Sequence, residues 1–150
     1  MAANGPFVHA LIMCDFIYRD TATGKCYLLG TFQNVKVKAN VMFPVTHSPL
    51  GIYLVLSHWV REQELAIQIA RDPEGAGFTE VLAKLPPINV PAHQPDQRVQ
   101  FGLNLPPISL PAIGRYSIQA LVREELLHQF EFEVSQFPAG DTKQTKGEQA

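Results

Sequence analysis

From Gly114 to Val122 apolar and polar residues alternate, and Arg123-Glu124-Glu125 forms a short polar turn. Beyond it Phe130, Phe132 and Val134 alternate with Glu131, Glu133 and Ser135. A period of two on both sides of a turn predicts a half-buried antiparallel hairpin, with Tyr116, Ile118, Phe130 and Phe132 facing a core. The same period opens the chain. From Phe7 to about Arg19, Val8, Ala10, Ile12, Cys14 and Phe16 share one face. Phe7, Leu11, Met13 and Ile17 share the other with His9 and Asp15. A strand apolar on both faces is buried on both sides or lies near an interface.

Thr21-Ala22-Thr23-Gly24 turns the chain back into Cys26 to Phe32. Asp20 is placed to start that turn through its side chain, and Gly24 to supply a positive φ. If Asp20 faces Lys25, Cys14 lies opposite Thr31 and Cys26 opposite Arg19. The two cysteines are then too far apart for a disulfide.

Further alternating runs follow at 34–43, Gly51 to Val60, Leu65 to Ile69, Val81 to Leu85 and Val99 to Leu105. Pro44 and Pro49 bracket a loop, and Arg71 to Gly77 is a strong turn signal. Pro86 to Gln97 holds four prolines and no periodicity, so it reads as an ordered loop between sheets. No helix is predicted. Eight or nine short strands with this spacing predict an all-β, antiparallel β-sandwich. Residues 7–137 form the single domain, behind an N-terminal arm at 1–6. The polar stretch 138–150 cannot offset its own ordering entropy and is expected to be disordered.

Composition narrows the function classes. The 150 residues suit one domain that needs no disulfide or metal to hold its core. Net charge is −2 and only 17% of residues are charged, below the usual quarter, which suggests a surface partly covered by a partner. No basic patch supports nucleic-acid binding. No run of apolar residues is long enough for a membrane span, and no signal peptide is legible. Two free thiols without an export signal point to the cytoplasm.

Several stretches carry a resemblance: Cys14-Asp15, Gly30-Thr31-Phe32, Pro49-Leu50-Gly51-Ile52-Tyr53-Leu54, Leu110 to Tyr116, and Phe130 to Val134. Taken together they resemble a family of small bacterial proteins of unknown function with an immunoglobulin-like sandwich. The resemblance spans most of residues 7–135. It implies an immunoglobulin-like fold and assigns no catalytic residue. The chain departs from it at Arg123-Glu124-Glu125, where relatives often have an Asp-Gly-type turn.

Candidate chemistry is sparse. His9, His47, His58, His93 and His128 show no short-range ligand spacing, so no metal or cofactor is expected. Cys14 sits mid-strand between Ile12 and Phe16, where a thiol packs as a small hydrophobe. Asp15 and Asp20 are candidate structural carboxylates, since a calcium loop needs more acids close together. No serine sits in a nucleophile elbow, and Gly75 and Gly77 form no phosphate loop. On the run from Gly51, Ile52, Leu54, Leu56, His58 and Val60 make the core face. Tyr53, Val55 and Trp59 then look outward as a candidate interface.

The expected function is that of a non-enzymatic β-sandwich binding a protein, itself or another, with a homodimer as one form. The alternatives are a small-molecule or carbohydrate receptor, using Thr46-His47-Ser48 and Ala92-His93-Gln94, and an enzyme of unfamiliar type using Cys14 or Asp15 with a histidine.

Overall fold

A computed structural model describes residues 5–73 and 78–139. The expected tail from 140 onward, the first four residues of the N-terminal arm, and Gly75 and Gly77 lie outside the described residues. The described chain is all-β, without a helix. No helix of the described residues is long and apolar enough to cross a membrane.

Among the described residues twelve strands run in order: β1 (Phe7–Arg19), β2 (Cys26–Thr31), β3 (Asn34–Val37), β4 (Val45–His47), β5 (Leu50–Ser57), β6 (Gln63–Asp72), β7 (Glu80–Lys84), β8 (Ile88–Val90), β9 (Val99–Leu105), β10 (Ile108–Leu110), β11 (Gly114–Val122) and β12 (Glu125–Gln136). One sheet has the order β2-β1-β5-β9. The larger has the order β3-β12-β11-β6-β7, with β8 also paired to β6, and β4 pairs only β10. Alternation explains the core. Leu11, Met13, Ile52, Leu54 and Leu56 from the first sheet join Leu65, Ile67, Tyr116, Ile118 and Phe132 from the second in one buried cluster. The expected terminal hairpin is present, with Tyr116 opposite Phe132 and Ile118 opposite Phe130.

The structure corrects the strand count from eight or nine to twelve. The additions, β4, β8 and β10, are three residues each and stand beside prolines. Three positions are too few for a period to show. The expected run at 34–43 stops at Val37. There the chain turns at Lys38–Val41, and the Gln136 amide donates to the carbonyls of Lys38, Ala39 and Val41 at 3.0–3.1 Å. β3 runs parallel to β12, so the larger sheet is mixed rather than wholly antiparallel.

Val122 pairs with Glu125 across a two-residue loop in which Arg123 and Glu124 both have positive φ, 52° and 66°. Such a loop matches the strand twist but suits Asn and Gly, not side chains with a bulky Cβ environment. Replacing Arg123 by Asn together with Glu124 by Gly should stabilise the fold by about 1–2 kcal/mol. Urea unfolding measures it, and an unchanged midpoint would mean the loop carries no strain.

Candidate functional site

β9 is not a neighbour of β1; β5 lies between them. Yet Ile17 of β1 touches β9. The Asn104 side chain accepts from the Ile17 amide at 2.9 Å and donates to the Ile17 carbonyl at 2.9 Å. Further along, Gln100 donates to the Gly24 carbonyl at 2.8 Å. The distal half of the β1–β2 hairpin therefore crosses over β5 and lies on the outer face of the four-stranded sheet.

Two glycines make the seat. A methyl group on Gly102 would stand 2.7 Å from Ile17 Cγ2, and one on Gly51 3.1 Å from Ile17 Cγ1. Only bare backbone lets the buried Ile17 settle so close. At the bend Asp15 faces Gly30, which has φ 68° and whose Cβ position is occupied by the Asp15 carboxylate. The turn is built as expected. Asp20 accepts from the Ala22 amide at 3.0 Å and the Thr23 hydroxyl at 2.7 Å, and the Thr23 bond foremost holds its pKa down. Gly24 has φ 73°, Cys14 lies opposite Thr31, Cys26 lies opposite Arg19, and both thiols are free.

With Ile17 turned down, the opposite side of the hairpin faces out. Phe16 opposes Leu29 and Tyr18 opposes Tyr27, whose rings are 6.1 Å apart. These side chains are 46%, 55%, 56% and 49% exposed respectively. They form a contiguous apolar stripe on a rigidly seated ribbon. Scattered exposed hydrophobes mean little, but a contiguous apolar stripe stands apart from them. The outer face of the larger sheet is different in kind: Gln68 and Gln119 pair across it at 2.7 Å beside Ser117.

Of the expected interface residues Tyr53, Val55 and Trp59, the last does not join the other two on the outer face. Tyr53 and Val55 are half-buried, and the Tyr53 hydroxyl donates at 2.8 Å to Gln100, the residue that holds the hairpin turn. Trp59 is fully buried and its indole donates to the Val90 carbonyl at 3.0 Å. The cause is His58, whose φ of 58° ends the strand and reverses the alternation. His58 and Val60, expected inside, are exposed instead.

Cys14 is buried, its thiol directed at the carbonyls of Phe16 and Gly51, and burial foremost raises its pKa, with the Asp15 charge adding to it. A protonated, buried thiol is the inert kind. Asp15 has no ion pair among the described residues; its tie is the close approach to Gly30. Its charge also opposes the lowering of the His47 pKa, which burial causes. His47 is half-buried against Phe32, with Nε2 lacking a partner among the described residues. The His93 amide donates to the Trp59 carbonyl, while its ring lies at the surface with Nδ1 2.7 Å from the Pro91 carbonyl of its own loop. Of the two loops proposed for a receptor, the first thus half-buries its histidine and the second keeps its histidine ring at the surface. A concavity does exist elsewhere, beside Arg71, Asp72, Arg115 and Glu133. There Arg115 stands opposite both acids, so its charges offset one another.

One cluster was not legible in the sequence. A β-bulge between Val8 and Ala10 aims His9 at Ser57, Nε2 to Oγ 2.6 Å, and His58 Nδ1 lies 2.9 Å from the same oxygen. The His9 pKa is lowered by desolvation first, then by Arg98 and His58. Neither ring bonds a carboxylate through its other nitrogen among the described residues, so the third member of a triad is missing there.

A family profile described as a family of unknown function (DUF6941) matches residues 9–135. No curated protein matches the sequence. A solved structure, that of Pseudomonas fluorescens alkylpurine DNA glycosylase AlkC bound to DNA containing an abasic site analog, is similar at 17% identity and a TM-score of 0.43. The similarity covers 87% of this chain and 30% of that one.

Proposed function

The chain belongs to DUF6941, a family of unknown function, and on that footing we propose that it is a non-enzymatic, immunoglobulin-like β-sandwich that works by binding another protein. The fold part is supported by two sheets sharing one core and by a tyrosine corner. The Tyr116 hydroxyl, near the start of β11, donates back to the Ala112 carbonyl. Free cysteines in place of a disulfide suit a reducing cytoplasm.

The single observation that carries the binding role is the Phe16, Tyr18, Tyr27, Leu29 stripe, exposed on a hairpin that Asn104, Gln100 and the glycine seat hold still. Rigid aromatics give contact area at little entropic cost. The partner is a protein with an apolar or aromatic surface of its own. A photo-crosslinking amino acid in place of Tyr18, in cells that naturally make the protein, should give a discrete adduct. Serine at Phe16, Tyr27 and Leu29 should abolish it. The reading fails if Tyr18 gives no more adduct than the same probe at Glu131, on the polar outer face.

A further inference from the structure

β9 ends its sheet: β5 pairs it on one side, and no strand among the described residues pairs it on the other. Val99–Leu105 contains no charge and no proline, and its register with β5 runs without a bulge. Sheets ordinarily blunt such an edge with lysine, proline, a bulge or a covering segment. The core is also open along it. Ile52, Leu54 and Leu56 of β5 are fully buried, whereas Val99, Phe101, Leu103 and Leu105 beside them are only half-buried.

We infer that a second copy of this chain completes the edge, β9 against β9 in antiparallel pairing about a twofold axis through Gly102. That register is self-complementary. On the core side Val99 meets Leu105 and Phe101 meets Leu103. On the outer side Gln100 meets Asn104, and the two Gly102 backbones meet at the axis. Apolar opposes apolar, amide opposes amide, and no charge opposes a like charge. The two four-stranded sheets become one of eight strands.

A twofold between antiparallel strands of one sheet stands perpendicular to it. Both hairpins therefore lie on the same side of the joined sheet. Four half-exposed side chains give one stripe only weak binding once association costs are met. Two stripes on one face reach useful affinity through avidity. This last consequence rests on the proposed function; the strand pairing rests on the β9 edge alone.

Sedimentation equilibrium of the full chain should return twice the mass of one chain. Leu103→Lys should return the monomer with an unchanged β-sheet circular-dichroism spectrum. Serine at all four stripe positions should leave the dimer intact. Should Leu103→Lys fail to fold, hydrogen exchange of the unaltered protein decides. Amides of Val99–Leu105 should exchange at least about tenfold more slowly at ~200 µM than at ~1 µM. A monomer at all concentrations, concentration-independent exchange, or a dimer that survives Leu103→Lys overturns the inference. So does a dimer lost with the stripe, which would move the contact to the hairpin. A dimer without a Tyr18 adduct would sink the binding role and leave the strand pairing standing.

Discussion

Replacing Trp59 by alanine should lower the stability of the fold by about 3–5 kcal/mol, the range for emptying a buried aromatic site. That is about a fifth or more of what a typical domain holds in reserve. The indole is fully buried among the core cluster, and its Nε1 donates to the Val90 carbonyl. Alanine would leave a cavity and strip the Val90 carbonyl of its side-chain donor. Around it the backbone is fastened twice. The His58 amide donates to the Pro95 carbonyl at 2.9 Å, and the His93 amide donates to the Trp59 carbonyl at 2.7 Å. Those ties hold His58 in its left-handed conformation, which costs a non-glycine residue about 1–2 kcal/mol. The site therefore cannot collapse easily onto the missing side chain, which puts the loss toward the upper end. Trp59→Phe keeps most of the volume and loses the hydrogen bond, so it should cost less, about 1–3 kcal/mol. Urea unfolding at constant m-value reads both. A surface tryptophan would give a change within about 0.5 kcal/mol, and that result would place Trp59 outside the core.

Gly102→Ala should unseat the hairpin. The added methyl would stand 2.7 Å from Ile17 Cγ2, inside any permitted contact. Ile17 cannot swing away freely, because it is buried and Asn104 grips its backbone on both sides. Overpacking of this kind costs about 1–3 kcal/mol. Ile17→Ala alone should cost about 2–5 kcal/mol. The double variant should lose less than the two together, by about 1 kcal/mol or more, because the new methyl occupies space the isoleucine vacated. Unfolding midpoints for the three variants give the coupling. Additive losses would mean that Ile17 does not sit in the glycine seat. In Gly102→Ala the amides of 16–29 should also exchange faster while those of β11 and β12 stay protected. The stripe would then survive in composition but lose its fixed presentation.

The terminal hairpin, the β1–β2 register and the unbridged cysteines were all readable from residue order. Each depends on neighbours joined by a short turn, where period two and turn chemistry act locally. The apolar second face of β1 was readable too, as a sign of burial on both sides or of an interface. Burial itself differs along the strand. Cys14 and Ile17 are buried, while Phe16 and Tyr18 are exposed. Strict alternation puts Cys14, Phe16 and Tyr18 on one face and so hides the stripe. The outward placement of Trp59 failed for a related reason. Alternation assumes an unbroken extended strand, and nothing in the identity of His58 announces a positive φ.

Residue order by itself determined that the chain is all-β, where its main strands lie, and which side chains can enter a core. These follow from backbone geometry repeated every two residues. Tertiary structure alone decided that the first hairpin folds across its own sheet, that Trp59 turns inward, that His9 and His58 meet at Ser57, and that β9 is left open. Each of these joins residues from about 30 to about 90 positions apart, or depends on a backbone reversal held by such contacts. Local pattern carries no information about which distant strands come to lie together.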